Sequence, residues 1–550
     1  MVRKKKAAGA AGGRRRPGHN GSLLLVLHAH LPYVRHPERE SFLEESWLFE
    51  AVLESYLPLV EVLGRLADEG VPFTVTVSLS PTLAAMLTDG LLMDRLRGRV
   101  EGLLSLAERE VKRTRADASF GPVARMYRKR LARLRRLFEE DLGGDIPGAL
   151  GALAGAGAVE LITTSATHAY LPGLAPFPSA VLSQMALGME SHRRLFGRRP
   201  PGLWLPECGY FEGLDSVVSS LGAGYFFLES HGLLHGRPRP SRGVFRPART
   251  PAGAAAFARD PEASRLVWSA ETGYPGGPWY REFHRDIGYD LPPGHIGIHP
   301  GGMKAPTGLK YHRVSGRGRR KEPYVRAKAL ARARADAAHF ASFLGRKALD
   351  IKEAYGFSPL FVAPFDCELF GHWWFEGPEW LGAVLAELPA RGVRAVGPSE
   401  YLAEVKGLQE VEPSASSWGW GGFGGTWANP ANDRWLAEVL RACAGMDELA
   451  SSLPRRPRGP VRRAAGQALR ELLLAQASDW PFMLNTGASS AYAESRLREH
   501  MGAFWRLRDM ALAGEVDEGC LDELWRRRPF LPEAEGFPYG RSLAKGYVLR

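Results

Sequence analysis

Short apolar runs recur through the first four hundred positions of this chain, separated by stretches with helical periodicity, and this alternation constrains the fold more than any other feature. Runs at 23–27, 73–77, 159–163, 202–205, 225–228, 265–268, 360–365 and 393–396 have the length and apolar character of strands. Helical stretches lie at 46–66, with a bend or restart expected at Pro58, and at 179–196, 325–353 and 379–388. Strands that alternate with helices indicate the α/β class with a parallel sheet, and seven or eight of them indicate a barrel rather than an open sheet. In barrels the residues just past the C-terminal strand ends carry the chemistry.

At 550 residues the chain is too long for one ordinary core. Residues 1–21 begin with the basic opening MVRKKKAAGAAGGRRRPG and read as a disordered tail. Segments 22–90 and 150–410 carry the strands and are expected to form the catalytic barrel. Between them, 91–149 is strongly helical and dense in Arg and Lys, which predicts a helical insertion with a solvated basic face. Strand signals stop near 411, and helices near 432–449, 461–478, 491–513 and 518–527 predict a C-terminal helical domain over 411–550.

Hydrophobic residues make up 45% of the chain and charged residues 24%, which allows a large globular core. No apolar run reaches the length of a membrane span and no hydrophobic segment follows the N-terminal charges, so a cytoplasmic protein without a membrane partner is expected. The four cysteines form no CxxC pair, which argues against a disulfide framework or a cysteine zinc site. The net charge of +12 is concentrated in the tail, so weak, salt-sensitive polyanion binding is the most that it implies, and no specific nucleic-acid partner is expected.

Two strand ends deliver carboxylates. LFVAPFDCELFGHWW places Asp366 after an apolar run, and PGLWLPECGY does the same for Glu207. Either acid alone fits a structural salt bridge. As a pair converging on one barrel mouth they match what glycoside cleavage needs, one group protonating the leaving oxygen while the other attacks the anomeric carbon or activates water.

The tryptophans support that reading, because pyranose rings pack their C–H faces on aromatic rings. Trp204, Trp373, Trp374, Trp418, Trp420, Trp427 and Trp480 lie in loops or at strand ends. Core packing explains most tryptophans, but Trp418 and Trp420 sit in a glycine-rich loop where no core is being built. His28 and His30 share one side of the first strand and read either as a metal pair or as hydrogen-bonding groups toward sugar hydroxyls; His168 takes the same two readings. Arg265 and Trp268, on the run at 265–268, are further substrate-binding candidates. Asp479 could cap a helix, bridge domains or reach a sugar hydroxyl. Cys208 and Cys367, each beside a candidate acid, read as small buried hydrophobes.

With these residues assembled, the chain resembles glycoside hydrolase family 57, and within it the 1,4-α-glucan branching enzymes. Five blocks carry the resemblance: HAHLPYVRHPE from His28, ELITTSATHAYLP from Glu160, WLPECGY from Trp204, PFDCELFGHWWFEGPEWL from Pro364 and SSWGWGGFGGTWANP from Ser416; SDWPF from Ser478 adds a sixth. The resemblance implies a distorted (β/α)7 barrel with an inserted helical subdomain and a C-terminal helical domain closing the cleft. It further implies Glu207 as nucleophile and Asp366 as general acid/base of a retaining transglycosylation with no metal and no cofactor. His28, His168, Trp418, Trp427 and Asp479 would line the glucan subsites, with an α-glucan as both donor and acceptor.

One element of the family pattern is missing. Branching enzymes of the family are expected to carry a tyrosine on a mobile loop after the nucleophile strand, whereas 230–266 contains no tyrosine, only Phe245 and Phe257 among aromatics. Hydrolysis of α-glucans or 4-α-glucan transfer therefore stands as the alternative activity. A metal-dependent deacetylase or mannosidase-like barrel built on His28 and His30, and a non-enzymatic glycan-binding protein, are the readings from other classes.

Overall fold

The structure, a computed structural model, describes residues 19–269, 271–299, 302–316, 318, 321–454 and 457–540. The basic opening up to residue 18 lies outside the described residues. Among the described residues eight strands follow in chain order: β1 (Gly21–Ala29), β2 (Val75–Leu79), β3 (Val159–Ile162), β4 (Tyr225–Leu228), β5 (Ala248–Arg249), β6 (Ala255–Ala258), β7 (Leu360–Asp366) and β8 (Val393–Ala395).

β1 is the centre of the arrangement. All nine of its residues, GSLLLVLHA, are buried, as a strand covered on both faces requires. It pairs in parallel with β7 over its length, ending with His28 opposite Asp366, and with β2 from Val26 to Ala29. β8 pairs with its first residues, and β3 extends the sheet beyond β2. A second sheet runs β4, β6, β5, with β4 and β6 parallel. Two junctions tie the sheets together. Leu203 bridges Thr163 on one side and Phe226 on the other, and the Asp260 N–H donates to Val362 O at 2.8 Å. The chain is thus an α/β protein with a parallel sheet whose strand ends share one rim, followed by a helical C-terminal region.

Sequence and structure part at a few places. The run at 265–268 is not a strand but the end of helix Pro261–Trp268. Asp260 caps that helix by accepting from the Glu262 and Ala263 N–H groups, and Pro261 opens it, a start signal that the apolar Leu-Val-Trp triplet masks. The strand in this region is β6, AAFA, whose alanines give little strand signal. The run at 202–205 contributes only the paired position Leu203, and the strand expected at 73–77 lies two residues later as β2.

The helix expected over 46–66 divides before Pro58 rather than at it. It runs as Ser46–Ala51, a wider turn over Val52–Tyr56, and Leu57–Asp68. Pro58 has no N–H to give to the carbonyl of Glu54, and that carbonyl faces Arg130 Nη2 at 3.5 Å instead. It also receives Gly371, where a Cβ would lie 1.8 Å from Glu54 O. Gly371 has φ 119°, so the turn after β7 depends on a residue without a side chain.

The helical stretch at 91–149 appears as Gly90–Arg113, Gly121–Arg136 and the start of Ile146–Gly155. Many of its basic groups are paired: Arg97 with Asp94 and Glu139, Arg133 with Glu61, and Arg135 with Glu101. The C-terminal region holds helices Asp433–Ser452, Gly459–Ala475, Asp479–Thr486, Ser490–Ala513 and Glu518–Arg527. Among the described residues no helix is long and apolar enough to cross a membrane.

Candidate active site

The C-terminal ends of β1 and β7, the turn at 206–208, the loop at 416–427 and the start of helix Asp479–Thr486 surround a cavity of about 630 Å³. Nine of the sequence candidates line it: His28, His30, His168, Glu207, Trp268, Asp366, Trp418, Trp427 and Asp479. Trp268 reaches it from a helix end, not from the strand expected there. Trp204 does not line it. It is fully buried and supports the wall from behind, its ring 5.0 Å from that of His28 and 5.1 Å from that of Trp418. Arg265 is exposed on helix Pro261–Trp268 and stays outside the lining.

Glu207 sits in a single turn after Pro206 with φ 60° and ψ 20°, and Cys208 and His168 also have positive φ. Non-glycine residues held there are strained. What over-determines Glu207 is a set of contacts from the far end of the chain. Trp418 Nε1–H donates to Glu207 Oε2 at 2.6 Å, Ser478 Oγ–H donates to Oε1 at 2.8 Å, and the Trp418 backbone N–H donates to the Glu207 carbonyl.

Three imidazoles stack beside this carboxyl. The ring centroids of His30 and His168 are 4.0 Å apart and those of His28 and His168 4.7 Å. With Glu207 ionised it can only accept, which fixes the tautomers behind it. Ser478 then accepts from His168 Nδ1–H at 2.9 Å, His168 Nε2 accepts from His28 Nε2–H at 2.8 Å, and His28 Nδ1 accepts from Ser78 Oγ–H at 3.2 Å. One directed chain of hydrogen bonds thus runs from β2 to the carboxylate. It requires His28 and His168 to be neutral, and burial holds both well below the ordinary imidazole range, with the neighbouring His30 adding to the effect. His30 is the exception. Burial pulls it down, but the carboxyls of Asp479, Glu368 and Glu207 outweigh that and raise it, and its Nε2 meets Asp479 Oδ2 at 3.1 Å. Asp479 therefore bridges the C-terminal region to the residue that follows β1.

Burial also pushes up the acids. Asp366 rises to about 6, with His30 and Arg259 opposing. Glu207 rises to about 7 despite its two donors, with the charges of Asp366 and Asp479 adding to burial. Glu368, which accepts from the Tyr56 hydroxyl and from the His30 N–H, rises to about 8. Three carboxyls raised toward neutral pH thus face one cavity, the pattern expected of groups that exchange protons.

Sequence reasoning missed Glu368, Ser478 and Arg259. Glu368 follows Asp366 by two residues and Ser478 opens the SDWPF block, so both were within reach. Arg259, which lines the cavity and donates to Glu229 at 2.9 Å, stands in a segment with no local signal. The reading of Cys208 and Cys367 as buried groups agrees with the structure, since burial keeps both thiols well above their usual range. Among the described residues no group of three or more His, Cys, Asp or Glu is arranged to hold a metal ion; the ring nitrogens of His28 and His30 all have hydrogen-bond partners.

Comparison with known proteins agrees with this geometry. The profile of glycosyl hydrolase family 57 matches residues 24–290, and that of the 1,4-alpha-glucan branching enzyme C-terminal region matches 438–536. A 1,4-alpha-glucan branching enzyme of Thermococcus kodakarensis is 35% identical over 94% of this chain and 78% of its own. The structure of a family 57 branching enzyme from Pyrococcus horikoshii superposes with a TM-score of 0.85 at 33% identity, covering 94% of this chain and 97% of that one. An α-amylase of Thermotoga maritima superposes with a TM-score of 0.88 at 36% identity, over 94% and 99% of the two chains. This chain belongs to glycoside hydrolase family 57, in its 1,4-α-glucan branching enzyme type.

Proposed function

We propose that Glu207 is the nucleophile and Asp366 the general acid/base of a retaining transglycosylation that cleaves an α-1,4-glucan and rejoins the released chain as an α-1,6 branch. The observation that carries this assignment is the pair of donors from Trp418 and Ser478 on Glu207. They favour its carboxylate and aim it, while Asp366 faces the same cavity from the end of β7. We read the strands around the two acids as a distorted (β/α)7 barrel, a reading supported by the parallel pairings together with the Leu203 and Asp260 junctions. Residues 91–149 then form a helical insertion, and the described residues of 411–550 a helical domain closing the cleft; 541–550 lie outside the described residues.

The reaction needs Glu207 charged and Asp366 protonated. Burial raises both, Glu207 to about 7 and Asp366 to about 6. Substrate reverses that order, because a glycosidic oxygen that accepts a hydrogen bond from Asp366 favours its neutral form. Glu207 then attacks the anomeric carbon, Asp366 gives its proton to the leaving oxygen, and the donor chain remains as an ester on Glu207. The 6-hydroxyl of a second glucan gives its proton to Asp366 and attacks the same carbon, which frees Glu207 and sets the branch. Water in place of that hydroxyl gives hydrolysis, so the outcome depends on which reaches Asp366 first.

Two facts keep hydrolysis or 4-α-glucan transfer as a second reading. One is the similarity to an α-amylase, and the other is the lack of a tyrosine over 230–266. That segment is tied down along 409–412, with Arg237 N–H and Glu412 N–H each donating to the other's carbonyl. Incubation with amylose separates the readings. Branching lowers iodine staining with little rise in reducing ends and leaves short chains releasable by a debranching enzyme, whereas hydrolysis raises reducing ends in step with the loss of stain.

A further inference from the structure

We propose that Trp373, backed by Phe283, is an aromatic platform for the acceptor glucan, on the side of the cavity where Asp366 receives the incoming hydroxyl. The proposal rests on the roles given above to Asp366 and Glu207.

Trp373 lines the catalytic cavity and is 53% exposed, whereas the adjacent Trp374 is 1% exposed and belongs to the core. A single exposed tryptophan is unremarkable in itself. The support beneath this one is what sets it apart. The Phe283 ring stacks on it with centroids 4.3 Å apart and planes 22° from parallel. Lys310 Nζ lies 4.1 Å from the Phe283 centroid, and the His372 ring meets Phe283 edge-on at 5.3 Å. His372 is held in turn through Nδ1 by Glu54 Oε2 at 2.8 Å.

Arg281 completes the support. Its side chain is fully buried, donating through Nη1 to Glu54 Oε1 at 2.8 Å and through Nη2 to the His372 carbonyl at 3.1 Å. The irregular segment that contains Arg281 and Phe283 therefore anchors itself on the helical stretch before β2 and on the turn after β7. An aromatic face held in place before its ligand arrives loses little rotamer freedom on binding. Phe283 covers part of the indole, and the remaining ring surface is open to the C–H face of a glucose unit.

The side of the cavity follows from the chemistry. A general acid donates to the glycosidic oxygen, so it stands by the leaving chain, and the acceptor later takes the leaving chain's place. Trp373 is fixed relative to Asp366 by the turn that carries both, with Trp373 N–H donating to Glu368 O at 3.3 Å and Trp374 N–H to Leu369 O at 2.8 Å. A ring so placed binds the acceptor and raises its residence against that of water.

The test uses an aryl α-maltooligoside as donor and maltooligosaccharides as added acceptor. Released phenol reports formation of the ester, and chromatography separates transfer from hydrolysis products. In Trp373→Ala the ratio of transfer to hydrolysis is expected to fall about tenfold, with a higher KM for acceptor. Phe283→Leu, which removes the stacked ring and leaves Trp373 in place, is expected to move the ratio the same way by less. If Trp373→Ala does not fold, Trp373→Phe gives the same readout with a smaller shift. A ratio that stays unchanged, whether both rates fall together or neither falls, overturns the platform. A wild-type enzyme whose products do not depend on acceptor overturns the transfer reading instead, and this proposal with it.

Discussion

Ser478 donates its hydroxyl hydrogen to Glu207 Oε1 over 2.8 Å while accepting from His168 Nδ1 at 2.9 Å. The helical C-terminal region thus reaches into the strand-end rim and holds the proposed nucleophile by one of its two donors. A hydrogen bond to a charged group contributes ~1.5–3 kcal/mol, so Ser478→Ala is expected to lower kcat/KM by about 10- to 100-fold. Loss of a donor to the carboxylate also raises its pKa further. With substrate bound, where Glu207 is the lower of the two, the acidic limb of the kcat profile of Ser478→Ala should therefore move to higher pH. A drop in rate with an unmoved limb would mean that Ser478 acts only on packing.

The wild-type profile is expected to be bell-shaped. At low pH both carboxyls are protonated and Glu207 cannot attack; at high pH both are ionised and no acid remains. Activity of the free enzyme toward substrate, read as kcat/KM, should rise and fall through limbs near about 6 and about 7, and the two limbs belong to the pair rather than to either residue. Asp366→Asn is expected to lose the alkaline limb together with ~100- to 10,000-fold in rate for natural glucans.

Much of this site was legible in the sequence because strand ends announce themselves. An apolar run that stops at a carboxylate or histidine marks a rim position, and the stretches before His28 and Asp366 behave that way in β1 and β7. Where the signal failed, the physical reason is local. Leu266, Val267 and Trp268 read as a strand because they are apolar, yet Asp260 and Pro261 start a helix that the triplet ends. β6 went unseen because alanine carries no preference for a strand, and only pairing with β4 makes it one. Arg259 and Ser478 act through contacts made by tertiary packing, with Glu229 and Glu207, and such contacts leave no periodic trace.

Glu368 gives a prediction about stability. Burial raises this carboxyl from about 4.5 to about 8, so the folded state holds the proton more tightly than the unfolded chain. Its contribution is present in acid and is lost as pH rises through that window, at up to ~1.4 kcal/mol per pH unit. In Glu368→Gln the amide oxygen can still accept from the Tyr56 hydroxyl and the His30 N–H, and no charge has to be buried. The melting temperature of this variant should fall less between pH 5 and pH 9 than that of the wild type. Parallel curves would show that Glu368 already ionises freely in the folded protein.

Gly371 sets the limit on how the turn after β7 can be altered. A Cβ there would lie 1.8 Å from the Glu54 carbonyl oxygen and 3.0 Å from the Ser55 Cα, both backbone atoms that cannot rotate away. The φ of 119° adds strain for any residue with a side chain. Gly371→Ala therefore has to push the turn off the helix that carries Glu54, at a cost of roughly 3 kcal/mol or more. The same displacement loosens the bonds from Glu54 to His372 and Arg281 and so the seat of Trp373. Thermal melting should show a large loss of stability, and the folded fraction at low temperature should transfer less and hydrolyse more than the wild type. Gly90→Ala, at a helix start where a Cβ meets nothing within 4 Å, serves as the control and should change neither measurement.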